Sequence, residues 1–164
     1  MTRSMVMGQT ELAAHHEAGH AIAAYICQRK IRSITIEGEG AGMVRCQGLR
    51  HEARARFSPR QWRTLVREEI YICLAGPIAE QRVSGRDDPA AWGVDLQMAE
   101  DWRQYLEVDA KELTASTRKL LEEKRTWAAV STAAARLIET GLVSGREVDS
   151  LCRHLRVPRC PRIP

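Results

Sequence analysis

Two histidines four residues apart, His16 and His20, stand in the middle of a run of small and apolar residues, LAAHHEAGHAIAAYI. The run predicts a helix from about Glu11 to Gln28, with Thr10 as its cap. On a helix, positions four apart lie one turn apart on the same face. Leu12, Ala13, Ala23, Ala24 and Cys27 share that face, so both imidazoles are expected to point towards the interior, where they can reach a single metal ion. Glu17 is rotated about 100° from His16, which lets it flank that ion and hold a water. The five residues read His-Glu-x-x-His. Composition alone produces this pattern by accident in roughly one chain in a hundred of this kind, and its placement on the apolar face of a helix lowers the odds further. His15, one step off the ligand face, is expected to be exposed.

The other segments predict a mostly helical α+β domain beside a small sheet of two or three strands. Ile31–Glu37 alternates apolar and polar residues as a half-buried strand does. The stretch GEGAG turns the chain, and Met43–Gln47 is a candidate partner strand. Ser58-Pro59 opens a helix carrying Trp62, Leu65, Val66, Glu69, Ile70, Cys73 and Leu74, with a kink expected at Gly76-Pro77. Residues Ser84–Gly93 form a loop. A helix is expected from about Asp95, and a long one from about Asp109 to Thr140, closed by Gly141. Ser144 and Glu147 form a capping box for a last short helix. Residues 1–9 read as a flexible arm, 10–155 as the domain, and 156–164, with three prolines, as a flexible tail.

A length of 164 residues is enough for one domain with a sizeable core. Phe57 is the only phenylalanine, so that core must be built from Ala, Leu, Ile and Val. The net charge is +4, and much of the excess is arginine: Arg54, Arg56, Arg60, Arg63 and Arg67, with more near the C-terminus. This stripe reads as a solvated helix face. Without interleaved aromatics or a helix-turn-helix signature, nucleic acid is not expected as a partner. Five cysteines, none spaced as Cys-x-x-Cys, read as free thiols in a reducing compartment. There is no run of 18 apolar residues, no apolar leader and no G-x-x-x-x-G-K-[ST]. The expectation is a cytoplasmic protein that neither crosses a membrane nor binds nucleotide at such a loop.

A hydrolytic metal site needs a third protein ligand and an open position. The extended pattern with a third histidine on the same helix is excluded, because Ala23 and Ile26 occupy its glycine and histidine places. His51, Glu52, Glu80, Asp87, Asp88, Asp95 and His154 remain as candidates, and chemistry alone leaves the choice open. Glu80 has two readings: partner of a ligand histidine, or a helix-surface residue paired with Arg82.

Four segments, taken in order, resemble the protease domain of the FtsH family of ATP-dependent zinc metalloproteases. AAHHEAGHAIAAYI is similar to its YHEAGHA helix, and IRSITIEGEGAGMV to its following strand pair. LAGPIAEQRVSG resembles its LGGRAAEEVVFG helix, and WGVDLQMAEDW its segment in which an Asp opens a helix. The closing stretch from Arg118 to Cys152 is similar to the family's last helices. The resemblance covers about Thr10 to Cys152. It implies a zinc endopeptidase acting on unfolded or flexible polypeptides, with zinc on His16, His20 and Asp95 and with Glu17 as the base. The family's ATPase module has no counterpart in these residues, and the stretch between the Asp95 helix and the closing helices is shorter. The expectation is therefore a stand-alone protease domain, ATP-independent as a single chain. A hexameric ring is not carried over, and neither a homo-oligomer nor a separate ATPase partner is read from the sequence. The alternative is a zinc-containing binding or regulatory module with little proteolytic activity. An extended substrate is expected to add to the sheet edge near Met43–Cys46.

Overall fold

The computed structural model describes residues 8–38 and 40–160. Its elements are α1 (Gln9–Ile26), β1 (Ile31–Glu37), β2 (Ala41–Cys46), a 3₁₀ turn (His51–Arg56), α2 (Pro59–Ser84), α3 (Gly93–Arg103), α4 (Ala110–Glu122), α5 (Lys124–Thr140), β3 (Leu142–Ser144) and α6 (Gly145–His154). The fold is α+β and mostly helical, with one antiparallel sheet of order β2-β1-β3. Among the described residues, no helix is long and apolar enough to cross a membrane.

α1 is the central element. It packs against α2 on one side and α5 on another, and touches β1 and β2. A helix enclosed in this way is buried nearly all round rather than along one stripe, which suits its run of alanines: Ala14, Ala18, Ala21, Ala23 and Ala24 are all fully buried. Gly19 sets the crossing with α2. A Cβ there would lie 2.5 Å from the carbonyl oxygen of Ala75 and 2.8 Å from the Cβ of Ala79, so the two backbones meet without room for a side chain. The helix begins one residue before Thr10. Gly8 is its N-cap, and the Glu11 carboxylate accepts from the Gly8 N–H at 3.3 Å. Thr10 is therefore an ordinary first-turn residue and not the cap.

α2 starts as expected, with a Ser58–Gln61 capping box and Pro59 in the first turn, and ends on Gly85 in the left-handed region at φ 67°. It runs on through Pro77 as one helix. An interior proline destabilises an isolated helix by about 3 kcal/mol. Here every residue from Ile72 to Ala79 is buried, and tertiary packing holds the turn.

Two segments differ from expectation, the long helix and the tail, and the sheet takes the larger of its two expected sizes. The long helix from Asp109 is two helices, α4 and α5. Glu123 turns extended (ψ 129°), and its carboxylate caps α5 by accepting from the Thr126 N–H at 2.8 Å. With no glycine or proline at the break, the apolar periodicity runs across it. The third strand, β3, is three residues squeezed between the Gly141 cap (φ 72°) and the Ser144–Glu147 capping box. It pairs Val143 with Ile34. The tail is not free as far as Cys160: Val157 is buried, the Cys160 N–H donates to the Ile26 carbonyl at 2.9 Å, and Arg159 lies over the Tyr25 ring. Residues 161–164 of the expected tail and 1–7 of the expected arm lie outside the described residues; Gln9 is helical.

Candidate metal centre

The two histidines of α1 are each gripped from behind by α2. His16 Nδ1 lies 2.8 Å from the Glu80 carboxylate, and His20 Nδ1 lies 2.7 Å from the Ile72 carbonyl. A carbonyl or an ionised carboxylate can only accept, so each Nδ1 carries a hydrogen and each Nε2 is left to take up a proton or a metal ion. The two Nε2 atoms face one another at 3.0 Å. Asp95, in the first turn of α3, completes the group: its Oδ2 is 3.0 Å from His16 Nε2 and its Oδ1 3.4 Å from His20 Nε2. The side chains of His16, His20 and Asp95 are 13 %, 12 % and 22 % exposed, enough to be reached and too little to be hydrated freely.

Three acceptor atoms converging in a half-dry cleft repel one another unless a cation sits between them. In the protein alone that cation is a proton. Burial opposes a charged His16, but the hydrogen bonds to Asp95 and Glu80 outweigh it and push its pKa up to about 9. Burial would likewise raise Asp95, yet the two imidazoles hold its carboxyl well below the usual carboxylate range. Glu80 behaves in the same way, lowered against burial by His16 and by the Trp92 indole, whose Nε1–H donates to it at 2.9 Å. The same three atoms can hold a metal ion in place of that proton. Two neutral imidazoles and a carboxylate, each fixed by its own element, suit a borderline divalent metal. Both Nδ1 partners match the outer hydrogen bonds that metal-ligating histidines usually make.

Two glycines make the space. A Cβ on Gly76 of α2 would lie 2.3 Å from His20 Nε2, so only glycine lets that ring stand where it does. A Cβ on Gly42 of β2 would lie 2.4 Å from Glu17 Cγ and 2.7 Å from its Oε1. Glu17 thus fills a notch in the edge strand. It is 9 % exposed. Burial raises its pKa, while the neighbouring His20 and His16 pull it back. A raised carboxylate beside side chains that can hold a metal is suited to taking a proton from water.

The other candidates for a third ligand lie elsewhere. His51 stacks on Trp102 with ring centroids 4.0 Å apart, and Glu52 is exposed on the same 3₁₀ turn. Asp87 accepts from the Gln81 amide and Asp88 from the Ala91 N–H. His154 is exposed on α6. Glu80 faces His16 and not Arg82, whose guanidinium instead lies over Trp127, 3.9 Å from the ring centroid. His15 is half-buried rather than exposed: its Nδ1 meets the Glu11 carbonyl, and its ring stacks on Trp127. All five cysteines are free; burial pushes Cys73 and Cys152 up to about 12, so they stay neutral thiols.

Sequence reasoning missed Trp92, Gly76, Gly42 and the Ile72 carbonyl. The lone aromatic residue in the Ser84–Gly93 loop, three residues before Asp95, was the available signal for the first. A backbone carbonyl carries no signal at all. A comparison with protein-family models and with curated proteins finds no match to this chain.

Proposed function

We propose that this chain is a zinc-dependent endopeptidase that hydrolyses peptide bonds in unfolded or flexible polypeptides, akin to the FtsH-type protease domain that its sequence resembles. The observation that carries the reading is the convergence of His16 Nε2, His20 Nε2 and Asp95 on one point, with Glu17 beside them in the notch of Gly42. His16, His20 and Asp95 would hold the zinc ion. Bound there, zinc would polarise the scissile carbonyl and lower the pKa of a water at the site to roughly 7. Glu17 takes the proton from that water and returns it to the leaving amine. β2 is a sheet edge, and an extended substrate adding to it along Gly42–Cys46 brings a backbone carbonyl past Glu17. Such main-chain recognition demands an unfolded or flexible segment.

The test pairs metal analysis of the purified protein with digestion of casein and a peptide library, with chelator and after zinc return. The expected result is close to one zinc per chain and chelator-sensitive cleavage. In Glu17→Gln, zinc content should stay and cleavage fall by orders of magnitude, about the 10²–10⁴-fold that a general base contributes. Full activity in Glu17→Gln would overturn the mechanism. Zinc without cleavage in the wild type would point to a binding or regulatory module.

A further inference from the structure

β2 touches two places. At Gly42 it lies against Glu17. At its other end it borders a groove of about 900 Å³, lined by residues from Val44 through Leu49 and by the turn carrying Ala53 and Arg56. The side chains around this groove are basic: Lys30, Arg32, Arg45, Arg50 and Arg56, all exposed. Among the described residues none of these five makes an ion pair, whereas Arg29 at the back of the groove is held by Glu68 and Glu69. Glu69 also accepts from the Leu49 N–H. Glu68 and Glu69 are thus committed, Glu52 is exposed on the neighbouring turn, and five cations are left facing solvent across one concave surface. A wall of one charge sign raises the local concentration of the opposite one.

We infer that this groove receives the acidic side chains of an extended polypeptide lying along β2, so that the substrates of the site are segments rich in Asp and Glu. The inference rests on the peptidase reading for its placement. A strand rises about 3.4 Å per residue, and the groove residues Val44 to Leu49 start two positions beyond Gly42, so the acidic positions fall about two to seven residues from the bond at Glu17. Arg45 follows Gly42 on the same strand and Arg50 lies in the loop beyond it, while Lys30, Arg32 and Arg56 line the same groove. Free carboxylates on a flexible chain satisfy these cations and still leave the backbone able to pair with the strand edge.

The experiment separates binding from cleavage. Zinc-loaded Glu17→Gln is titrated with fluorescein-labelled peptides that differ only in a block of Glu, Gln or Lys, read by anisotropy at low salt and at roughly 0.5 M salt. The Glu peptide should bind at least about tenfold tighter than the Gln peptide at low salt, with the gap closing at high salt. The preference should vanish when Arg32→Glu, Arg45→Glu and Arg50→Glu are added. It should survive Lys111→Glu, Lys119→Glu and Lys124→Glu, which change the net charge equally at exposed positions elsewhere. The milder pair Arg45→Gln and Arg50→Gln serves if the triple charge reversal fails to fold. Equal binding of Glu and Gln peptides would overturn the inference, as would loss of the preference in the distal triple variant. So would displacement of the peptide by a single-stranded oligonucleotide at lower concentration, since the groove would then be a nucleic-acid surface. If the preference follows the groove charges but the wild type cleaves nothing, the groove stands and the peptidase reading falls.

Discussion

The two long neighbours of α1 bury it by different means. Towards α2, the helix turns His16 and His20, and their partners are a carboxylate at 2.8 Å and a backbone carbonyl at 2.7 Å. α5 offers mainly apolar and small groups, with Ala129, Val130, Ala133, Ala134 and Leu137 all fully buried. Apolar burial is non-directional and scales with area, so the α5 side can stabilise the fold without specifying any atom's position. The α2 side specifies atoms and gains little net stability from doing so, because hydrogen bonds exchanged with water contribute only about 1 kcal/mol each. Site and stability are therefore separable on one helix, and mutations should divide accordingly.

The largest separation is expected at Asp95. Asp95→Asn keeps the size of the side chain and removes its charge from between the two imidazoles. Zinc retention during dialysis against a mild chelator should collapse, by more than the roughly 10–100-fold typical of outer partners, and cleavage should disappear. Asp87→Asn and Asp88→Asn, which change acceptors to Gln81 and Ala91, should hold zinc like the wild type. If Asp95→Asn keeps its zinc, Asp95 is only a first-turn residue favoured by the helix dipole. The division between the two sides of α1 then fails at its centre.

On the α5 side the effect should move to stability. Leu137→Ala empties a fully buried site and should lower unfolding free energy by about 2–5 kcal/mol, read from the urea midpoint of the metal-loaded protein. Zinc per folded chain should not change. A loss of zinc in folded Leu137→Ala protein would show that the α5 side positions the histidines after all.

What could be read beforehand divides along the same line. The placing of His16 and His20 together, with Glu17 beside them, was legible because helical spacing is a property of the chain itself: once α1 forms, His16 and His20 must share a face. β1 was legible in full, since its alternation is local. Asp95 was not legible from chemistry, because His51, Glu52 and the two loop aspartates carry similar donors. Only the packing of α3 on α2 brings Asp95 to the cluster. The split at Glu123 was hidden because a Glu there serves equally as a helix interior residue and as a cap. β3 was hidden because three residues hold too little pattern. The docked tail was misread for a related reason: prolines forbid helix, but they do not forbid contact, and Cys160 pairs with Ile26 through its backbone. The groove depends on loops from three parts of the chain, and the arginine stripe alone gave no reason to separate Arg56 from Arg60.

The smallest effect should come from Glu80, and it tests whether the specification on the α2 side extends past the ligands. Its carboxylate fixes the His16 ring from behind and is itself held by Trp92. Glu80→Ala removes both the acceptor that keeps the hydrogen on His16 Nδ1 and the negative charge that makes Nε2 a stronger donor to a metal. Zinc affinity, measured by competition with a chromophoric chelator, should weaken by roughly 10–100-fold. Glu80→Gln should lie at the low end of that range, because its amide oxygen can still accept from Nδ1–H while the charge is gone. Trp92→Phe should weaken binding less again, since it removes one donor to Glu80 and leaves the ring packing nearly intact. The graded order is the informative part. A residue that merely stabilised the surface of α2 would give three variants with wild-type zinc affinity and small shifts in melting temperature. A residue that tunes the metal through His16 gives an ordered loss of affinity, because ring orientation and charge are being removed one at a time.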